Sequence, residues 1–353
     1  MKVAPLIRAA NAHNARCCNG DVRLECRLIH TGQHYDVQLS RIFFEELDLP
    51  QPDVNLEAGS GSHAAQTANI MLRFEPVCQR DRPDWVVVVG DVNSTMACTL
   101  VASKLGIRVA HVEAGLRSFD RTMPEEINRI VTDGLADLLL TPSPDANENL
   151  IREGIPEAKI RLVGNIMIDS LVANLEKSNQ ARILERLGLQ RRNFIYVTLH
   201  RPSNVDSKEP LQAVMKAMTD VATQIPVVFP VHPRTRHRLS EFGLAANGQK
   251  NLLLIDPVGY HDSLALTRSA RCVLTDSGGL QEESTFFRTP CLTLRPNTER
   301  PITTTVGSNR LTSIDRLSAN LDRALQGEER LGAVPPLWDG KTAERIVQAL
   351  LTA

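Results

Sequence analysis

Several marks that would place a chain quickly are missing. There is no G-x-G-x-x-G run and no Walker sequence, so a nicotinamide cofactor and a P-loop nucleotide site are not indicated. The histidines and cysteines show no metal-ligand spacing, and neither a metal nor a cofactor is expected. No run reaches about 18 apolar residues, so no membrane-spanning helix is expected. The opening run Met1-Lys-Val-Ala-Pro-Leu-Ile7 is too short for a signal peptide and is broken by Pro5. A net charge of −1 gives no footing for a nucleic-acid partner or an anionic membrane, so any basic site must be local. The seven cysteines (Cys17, Cys18, Cys26, Cys78, Cys98, Cys272, Cys291) are odd in number and form no C-x-x-C pair. Several lie in apolar runs, which fits reduced, buried thiols in a cytoplasmic protein. No short-period repeat or low-complexity tract interrupts the chain.

What is present is an alternation. At 353 residues, 42% hydrophobic and 23% charged, the chain fits two soluble domains, each with its own core. The start, Met1–Asn11, resembles the middle of a helix. Strands are expected at Arg23–His30, Asp84–Gly90, Gly106–His111, Leu138–Thr141 and Ile160–Val163. The β-branched run Asp84-Trp-Val-Val-Val-Val-Gly90 reads as a parallel strand buried on both faces. Helical spacing marks Leu39–Leu47, Ser62–Gln79, a segment ending near Leu105, and Asp145–Glu153. A polar, charge-mixed connection at Leu175–Asn193 divides the chain into domains at 1–175 and 176–353. A second alternation then follows, with strands at Phe194–Leu199, Val227–His232, Leu252–Ile255, Cys272–Thr275 and Pro290–Leu294, and helices near Pro210–Thr223, Ser313–Leu325 and Lys341–Leu351. Strands and helices spaced this way predict α/β architecture: two Rossmann-like domains facing across a cleft, the last helix packing back on the N-terminal domain.

Chemistry concentrates in His111-Val-Glu-Ala-Gly-Leu-Arg117 and Pro124-Glu-Glu-Ile-Asn-Arg129. Pro124 suits a first helical turn, with Glu125 and Glu126 favoured by the helix dipole. Glu113 then falls in the loop after a strand, where open α/β sheets bind ligands. The plainer alternative is that the two glutamates only start a helix and that Arg129 is an i,i+4 partner. Asp91, ending a strand, is either an N-cap or a catalytic group. In the second half, Thr275-Asp-Ser-Gly-Gly279 stands between a strand and a helix. Ser277, Gly278 and Gly279 can present backbone N–H groups to a phosphate, or can simply form a tight turn capped by Ser277. Gln281, Glu282 and Glu283 follow, and a carboxylate there can accept two ribose hydroxyls. Glu299-Arg300 offers another carboxylate and a cation. His200 and His232 both end strands, where ligand contact, proton transfer or plain backbone satisfaction are all open. Strand-end carboxylates in one half and a phosphate turn in the other suit a sugar nucleotide.

The runs Thr31-Gly-Gln-His-Tyr-Asp36, Gly90-Asp91, His111–Arg117, Pro124–Arg129, Gly164-Asn165, His200-Arg-Pro-Ser-Asn-Val205, Thr275–Glu283 and Glu299-Arg-Pro301 occur together and in order. In this the chain resembles the non-hydrolysing UDP-N-acetylglucosamine 2-epimerase family. The resemblance implies the B-type glycosyltransferase fold, a homodimer, and interconversion of UDP-GlcNAc and UDP-ManNAc for surface polysaccharide synthesis. It implies elimination of UDP with loss of the C2 proton, a 2-acetamidoglucal intermediate, and re-addition. It makes Asp91 and Glu125 the acid/base candidates, Glu113 a sugar-orienting carboxylate and His200 a contact to the departing diphosphate. Lys2, Arg117, Arg129, Ser277, Gly278, Gly279, Glu283, Glu299 and Arg300 become substrate-binding candidates. Three departures stand out. Lys2-Val-Ala-Pro-Leu6 matches only the end of the family's opening segment, so its first strand and Gly-x-Arg-Pro-Glu turn are absent. Ser203 stands where the family often has Glu. Gln33-His34 matches part of the second, activating substrate site of some members, while Asp36 and Gly59–His63 do not. The alternatives are a 2-epimerase of a UDP-2,3-diacetamido uronic acid, a hydrolysing 2-epimerase, and a catalytically silent sugar-nucleotide binder.

Overall fold

The computed structural model describes residues 1–32, 49–244 and 249–353. Gln33-His34, Asp36 and the helix expected at Leu39–Leu47 lie outside these residues. The chain forms two compact units, Met1–Ser170 with Pro336–Ala353, and Leu171–Pro335. Both are α/β, and their strand pairings are parallel. Among the described residues no helix is long and apolar enough to cross a membrane.

In the first unit, β1 (Ile29–His30) and β2 (Val54–Asn55) form a short ladder. A four-stranded sheet runs in the order β3 (Trp85–Val89), β4 (Arg108–Val112), β5 (Leu138–Thr141), β6 (Ile160–Leu162). Leu138, Leu139 and Leu140 are almost wholly buried, each contributing about 2 kcal/mol relative to exposure. Two expectations change here. The strand foreseen at Arg23–His30 shrinks to its last two residues, because Asn14 satisfies the Leu24 backbone N–H and C=O at 2.8 and 2.7 Å in place of a ladder. The run Trp85–Val89 is buried on one face only: Val86 and Val88 are covered and Val87 is 37% exposed. Among the described residues β3 ends its sheet, with β4 alone beside it.

The helix Thr342–Thr352 belongs to this unit. Its first N–H groups, from Thr342 and Ala343, donate to Asp169 at 3.1 and 2.7 Å. A buried carboxylate distant in sequence thus does the work of an N-cap. Ala343 and Ile346 join Val163, Ile166 and Leu140 in a common cluster, against which Leu6 and Ala9 of the helix Val3–Arg16 also pack.

The second unit holds a six-stranded sheet in the order β12 (Asn309–Thr312), β11 (Cys291–Leu294), β10 (Cys272–Thr275), β7 (Ile195–Thr198), β8 (Val227–Pro230), β9 (Leu252–Ile255). Strand order reverses between β7 and β10. The carboxyl ends of those two strands therefore border the crevice where an open α/β sheet binds ligands. The segment 175–193, expected as a connection, contains helices Leu175–Asn179 and Ile183–Arg186. Its apolar residues explain this: Ile183 is buried, and Leu184, Leu187 and Leu189 pack around the same cluster. Strand β12 escapes a sequence reading because Asn309-Arg-Leu-Thr has one aliphatic residue. Asn309 is instead buried among side-chain partners, Gln281, Thr293 and Thr303.

Candidate active site

The first group of side chains forms where β3 and β4 end. Asp91 follows β3 and is neither N-cap nor free, since Val92 occupies the cap position of the helix Asn93–Lys104. Its Oδ2 accepts from Arg129 Nη1 at 2.5 Å, and its backbone oxygen accepts from Asn128 Nδ2 at 2.8 Å. Arg129 lies on the helix Pro124–Leu135, whose first helical residue is Pro124 as expected. The same guanidinium donates to Glu126 Oε2 through Nε and Nη2 at 3.0 and 2.6 Å. The partner is thus three residues away, not four. Glu126 is 1% exposed and also accepts from the backbone N–H groups of Ser118 and Phe119. Burial opposes its charge, but those donors and Arg129 together hold its carboxyl below the usual range. Glu125, the neighbouring acid/base candidate, is exposed in the first helical turn.

Glu113 follows β4 with φ +71°, a left-handed conformation that costs a non-glycine residue about 1–2 kcal/mol. Such strain concentrates at functional sites. The N–H groups of Glu113 and Ala114 donate to Leu140 O, which fixes the turn. Its side chain is buried: Oε2 pairs with Lys2 Nζ at 2.5 Å, and Oε1 has no hydrogen-bond partner among the described residues. Gly90, at φ +74°, leaves room for both groups. A Cβ there would lie 3.2 Å from Lys2 Nζ and 3.6 Å from Glu113 Oε2. Arg117 is reassigned by the structure. It is 2% exposed, and its guanidinium is committed to Glu153, Asp133 and Leu116 O. With each of its three nitrogens engaged inside the unit, it is an internal tie.

The second group lies at the ends of β7 and β10. His200 follows β7, and its Nδ1 is 3.0 Å from Asp276 Oδ1. Asp276 follows β10, is fully buried, and also accepts from the N–H groups of His200 and Arg201 and from Asn204 Nδ2. Burial raises its pKa, yet the donors around it, His200 first, win and hold it below the usual range. Local sequence assigns Asp276 no role. Its place at a strand end, the signal that selected Asp91, was there to be used. Ser277 occupies the N-cap position of the helix Gly278–Phe287, but its side chain makes no capping bond. Arg300 lies directly over this turn, so that a Cβ on Gly278 would approach its Nη1 to 2.8 Å.

Two carboxylates, Glu282 and Glu299, hold that arginine, with Nε 2.7 Å from Glu282 Oε1 and Nη1 3.6 Å from Glu299 Oε2. Glu299 is 3% exposed and bound at both oxygens by Arg295, with Arg201 at 3.9 Å. Burial alone would raise its pKa, but Arg295 and Arg300 bring it down to about 2. It therefore organises cations, where the sequence suggested a ligand contact. Glu283 is buried beside Glu282, and desolvation pushes its pKa up to about 8. The whole arrangement, with helix-start N–H groups, two glycines and an anchored arginine, can neutralise a phosphate.

Known proteins match this chain in sequence and fold. A profile of the UDP-N-acetylglucosamine 2-epimerase family covers residues 16–351. The chain is 42% identical to the UDP-N-acetylglucosamine 2-epimerase of Methanocaldococcus jannaschii over 99% of its own length and 95% of that protein's. It is 39% identical to the UDP-2,3-diacetamido-2,3-dideoxy-D-glucuronate 2-epimerase of Pseudomonas aeruginosa, over 92% and 90% of the two chains. The crystal structure of the M. jannaschii enzyme in complex with UDP-GlcNAc and UDP superposes with a TM-score of 0.86, covering all of this chain and 96% of that one. By sequence over nearly its full length, and by the fold of two Rossmann-like units, the chain belongs to the UDP-N-acetylglucosamine 2-epimerase family.

Proposed function

We propose that the protein is an isomerase that interconverts UDP-N-acetylglucosamine and UDP-N-acetylmannosamine at C2. The observation that carries the reading is the pair of strand-end carboxylates, Asp91 and Glu113, fastened by different cations, Arg129 and Lys2. A hydrogen on C2 is weakly acidic, so its removal must accompany departure of the C1 oxygen substituent. One carboxylate takes the C2 proton, the C1–O bond breaks with its electron pair leaving on UDP, and a C1–C2 double bond forms. A second carboxylic acid then returns a proton to the opposite face of C2 while UDP adds back to C1. Asp91 and Glu125 are assigned the exchange of protons and Glu113 the orientation of the sugar. Ser277, Gly278, Gly279 and Arg300 take the diphosphate, His200 the departing phosphate oxygen, and Glu283 the ribose.

Incubation with UDP-GlcNAc in D₂O, followed by NMR, tests this. Deuterium at C2 of intact UDP-sugar, with UDP-ManNAc appearing, is expected. Stoichiometric free ManNAc and UDP would place the protein among hydrolysing enzymes. The 39% identity to the P. aeruginosa enzyme makes the UDP-2,3-diacetamido uronic acid the second substrate to assay, and turnover of that nucleotide alone would replace the assignment. A homodimer is also proposed, and light scattering reads it directly.

A further inference from the structure

One buried titratable side chain is left unused by this chemistry. His111 is in β4, two residues before Glu113, and is wholly inaccessible to solvent. Its Nδ1 is 2.6 Å from Asp133 Oδ1, and its Nε2 is 2.8 Å from the carbonyl oxygen of Gly90. The carbonyl can only accept, and Asp133, ionised against Arg117, accepts as well. A neutral imidazole carries one N–H and would leave one contact as two facing lone pairs in a dry interior. Two N–H groups satisfy both. Asp133 is itself fixed, since its Oδ2 accepts from Gly115 N at 3.1 Å and from Arg117 Nη1 at 2.7 Å. Arg117 is anchored in turn by Glu153.

We propose that His111 is held as an imidazolium strut that positions the Gly90–Asp91 turn for the epimerisation read above. The carbonyl it grips belongs to the residue before Asp91. Gly90 N donates to Val112 O at 3.0 Å, so that the turn is fastened on both sides of Gly90 to β4. The strut also ties β3, β4 and the helix Pro124–Leu135, which carry Asp91, Glu113 and Glu125. The charged groups around the ring are Asp133 and Glu113, with Arg117 behind the first and Lys2 behind the second. Desolvation works against the cation, but the charge and hydrogen bond of Asp133, the Gly90 carbonyl and Glu113 outweigh it, and the ring's pKa is raised. His111 touches no substrate in this account and acts through Asp91.

Two measurements separate this from the epimerase reading. In ¹⁵N spectra of histidine-labelled protein, one of the nine histidines should show both ring nitrogens protonated and unmoved from pH 6 to 9, and that signal should vanish in His111→Gln. A bare nitrogen, or a ring that titrates across that range, overturns the strut whether or not the protein epimerises anything. In kinetics, His111→Gln should lower kcat about 30-fold or more, with KM and UDP affinity within threefold; an unchanged kcat overturns the positioning role. Asp133→Asn serves where His111→Gln fails to fold. The amide oxygen of the substituted side chain can face Gly115 and Arg117 while its NH₂ donates to Nδ1, leaving Nε2–H on Gly90. The His111 ring should then be neutral at alkaline pH, and kcat should gain an ionisation that the wild type lacks. A pH profile and ¹⁵N spectrum identical to wild type would refute the proposal. Absence of C2 exchange in the wild type, with the imidazolium signature present, would instead sink only the epimerase assignment.

Discussion

Arg129 binds Asp91 and Glu126 with one guanidinium, 2.5 Å from the first and 2.6 Å from the second. The fork geometry lets a single buried cation satisfy a carboxylate that folds the Ser118–Phe119 loop and another assigned to proton transfer. Lysine replaces that fork with a compact point charge on one nitrogen and loses the two-sided geometry. Arg129→Lys is expected to fold, because Glu126 keeps a cation and two backbone donors, and to lose at least tenfold in kcat with KM changed less than threefold. Steady-state rates with thermal melts of the same sample decide it. Wild-type kcat in a folded Arg129→Lys protein would mean that the Asp91 contact has no part in the chemistry.

His200 owes its orientation to Asp276. In Asp276→Asn the amide oxygen can keep the Oδ2 contacts to the N–H groups of His200 and Arg201 and to Asn204, which leaves an NH₂ in the Oδ1 place, where it can no longer accept from the imidazole Nδ1–H. The imidazole should swing out of place, and kcat should fall by about as much as in His200→Ala. Because the two act as a unit, the double variant should be no slower than the worse single one. Additive losses would show that Asp276 serves the His200–Asn204 backbone turn and not the imidazole.

Glu283 gives a pH dependence with a definite sign. Its ordinary pKa is 4.5, and burial moves it to about 8 in the folded protein. Below pH 4.5 both states are protonated. Between 4.5 and 8 the unfolded chain releases a proton that the folded one keeps, so stability falls as pH rises, by up to ~1.4 kcal/mol per pH unit. Above 8 the loss levels off. Glu283→Gln imitates the neutral acid, so its stability advantage over wild type should grow from pH 5 to 8 and then stay constant. Urea midpoints at four pH values measure this, and a constant difference throughout would exclude a raised pKa.

Asp169 should matter far from any ligand. Asp169→Ala removes two charge-assisted bonds from the start of the helix Thr342–Thr352, a loss of about 1–2 kcal/mol on the scale of N-cap deletions. Hydrogen exchange should quicken first in residues 342–346, and uniform acceleration across the first unit would contradict a local capping role.

How legible the site was depended on what kind of signal each residue left. Short apolar runs bounded by Gly, Pro, Asp or His mark β3, β5, β7, β10 and β11 to within about two residues, because strands of a parallel sheet need little else. The N-terminal turn of Pro124–Leu135 and the Gly278–Gly279 turn were visible for the same local reason. Partnerships were not. Helix spacing suggests that Arg129 pairs at i+4, and the family resemblance implies that Arg117 and Glu299 meet a ligand. The actual partners, Asp91, Asp133 and Arg295, are set by which strand ends stand side by side. Sheet order, β7 beside β10, brought Asp276 to His200 from 76 residues away, and no local pattern carries that information. Strand β12 was lost because its stability lies in buried amide and hydroxyl bonds instead of aliphatic packing.

Gly278 offers the cleanest separation of binding from fold. Its added Cβ in Gly278→Ala would sit 2.8 Å from Arg300 Nη1 and 3.1 Å from Cζ, too close for either to stay. The obstacle is the end of a long side chain, so the backbone need not move and the helix gains a better helix former. Stability should therefore change by less than ~1 kcal/mol in either direction. The guanidinium cannot shift freely, however, because Glu282 and Glu299 hold it from behind. Moving it from the turn takes away the cation nearest the backbone N–H groups that would meet a diphosphate. UDP affinity is expected to weaken about tenfold or more, which corresponds to ~1.4 kcal/mol or more, within the range for a charge-assisted hydrogen bond. Calorimetry with UDP alone measures this without turnover. Unaltered affinity in Gly278→Ala would place the diphosphate somewhere other than this turn, and would move the assignments of Ser277, Gly279 and Arg300 with it.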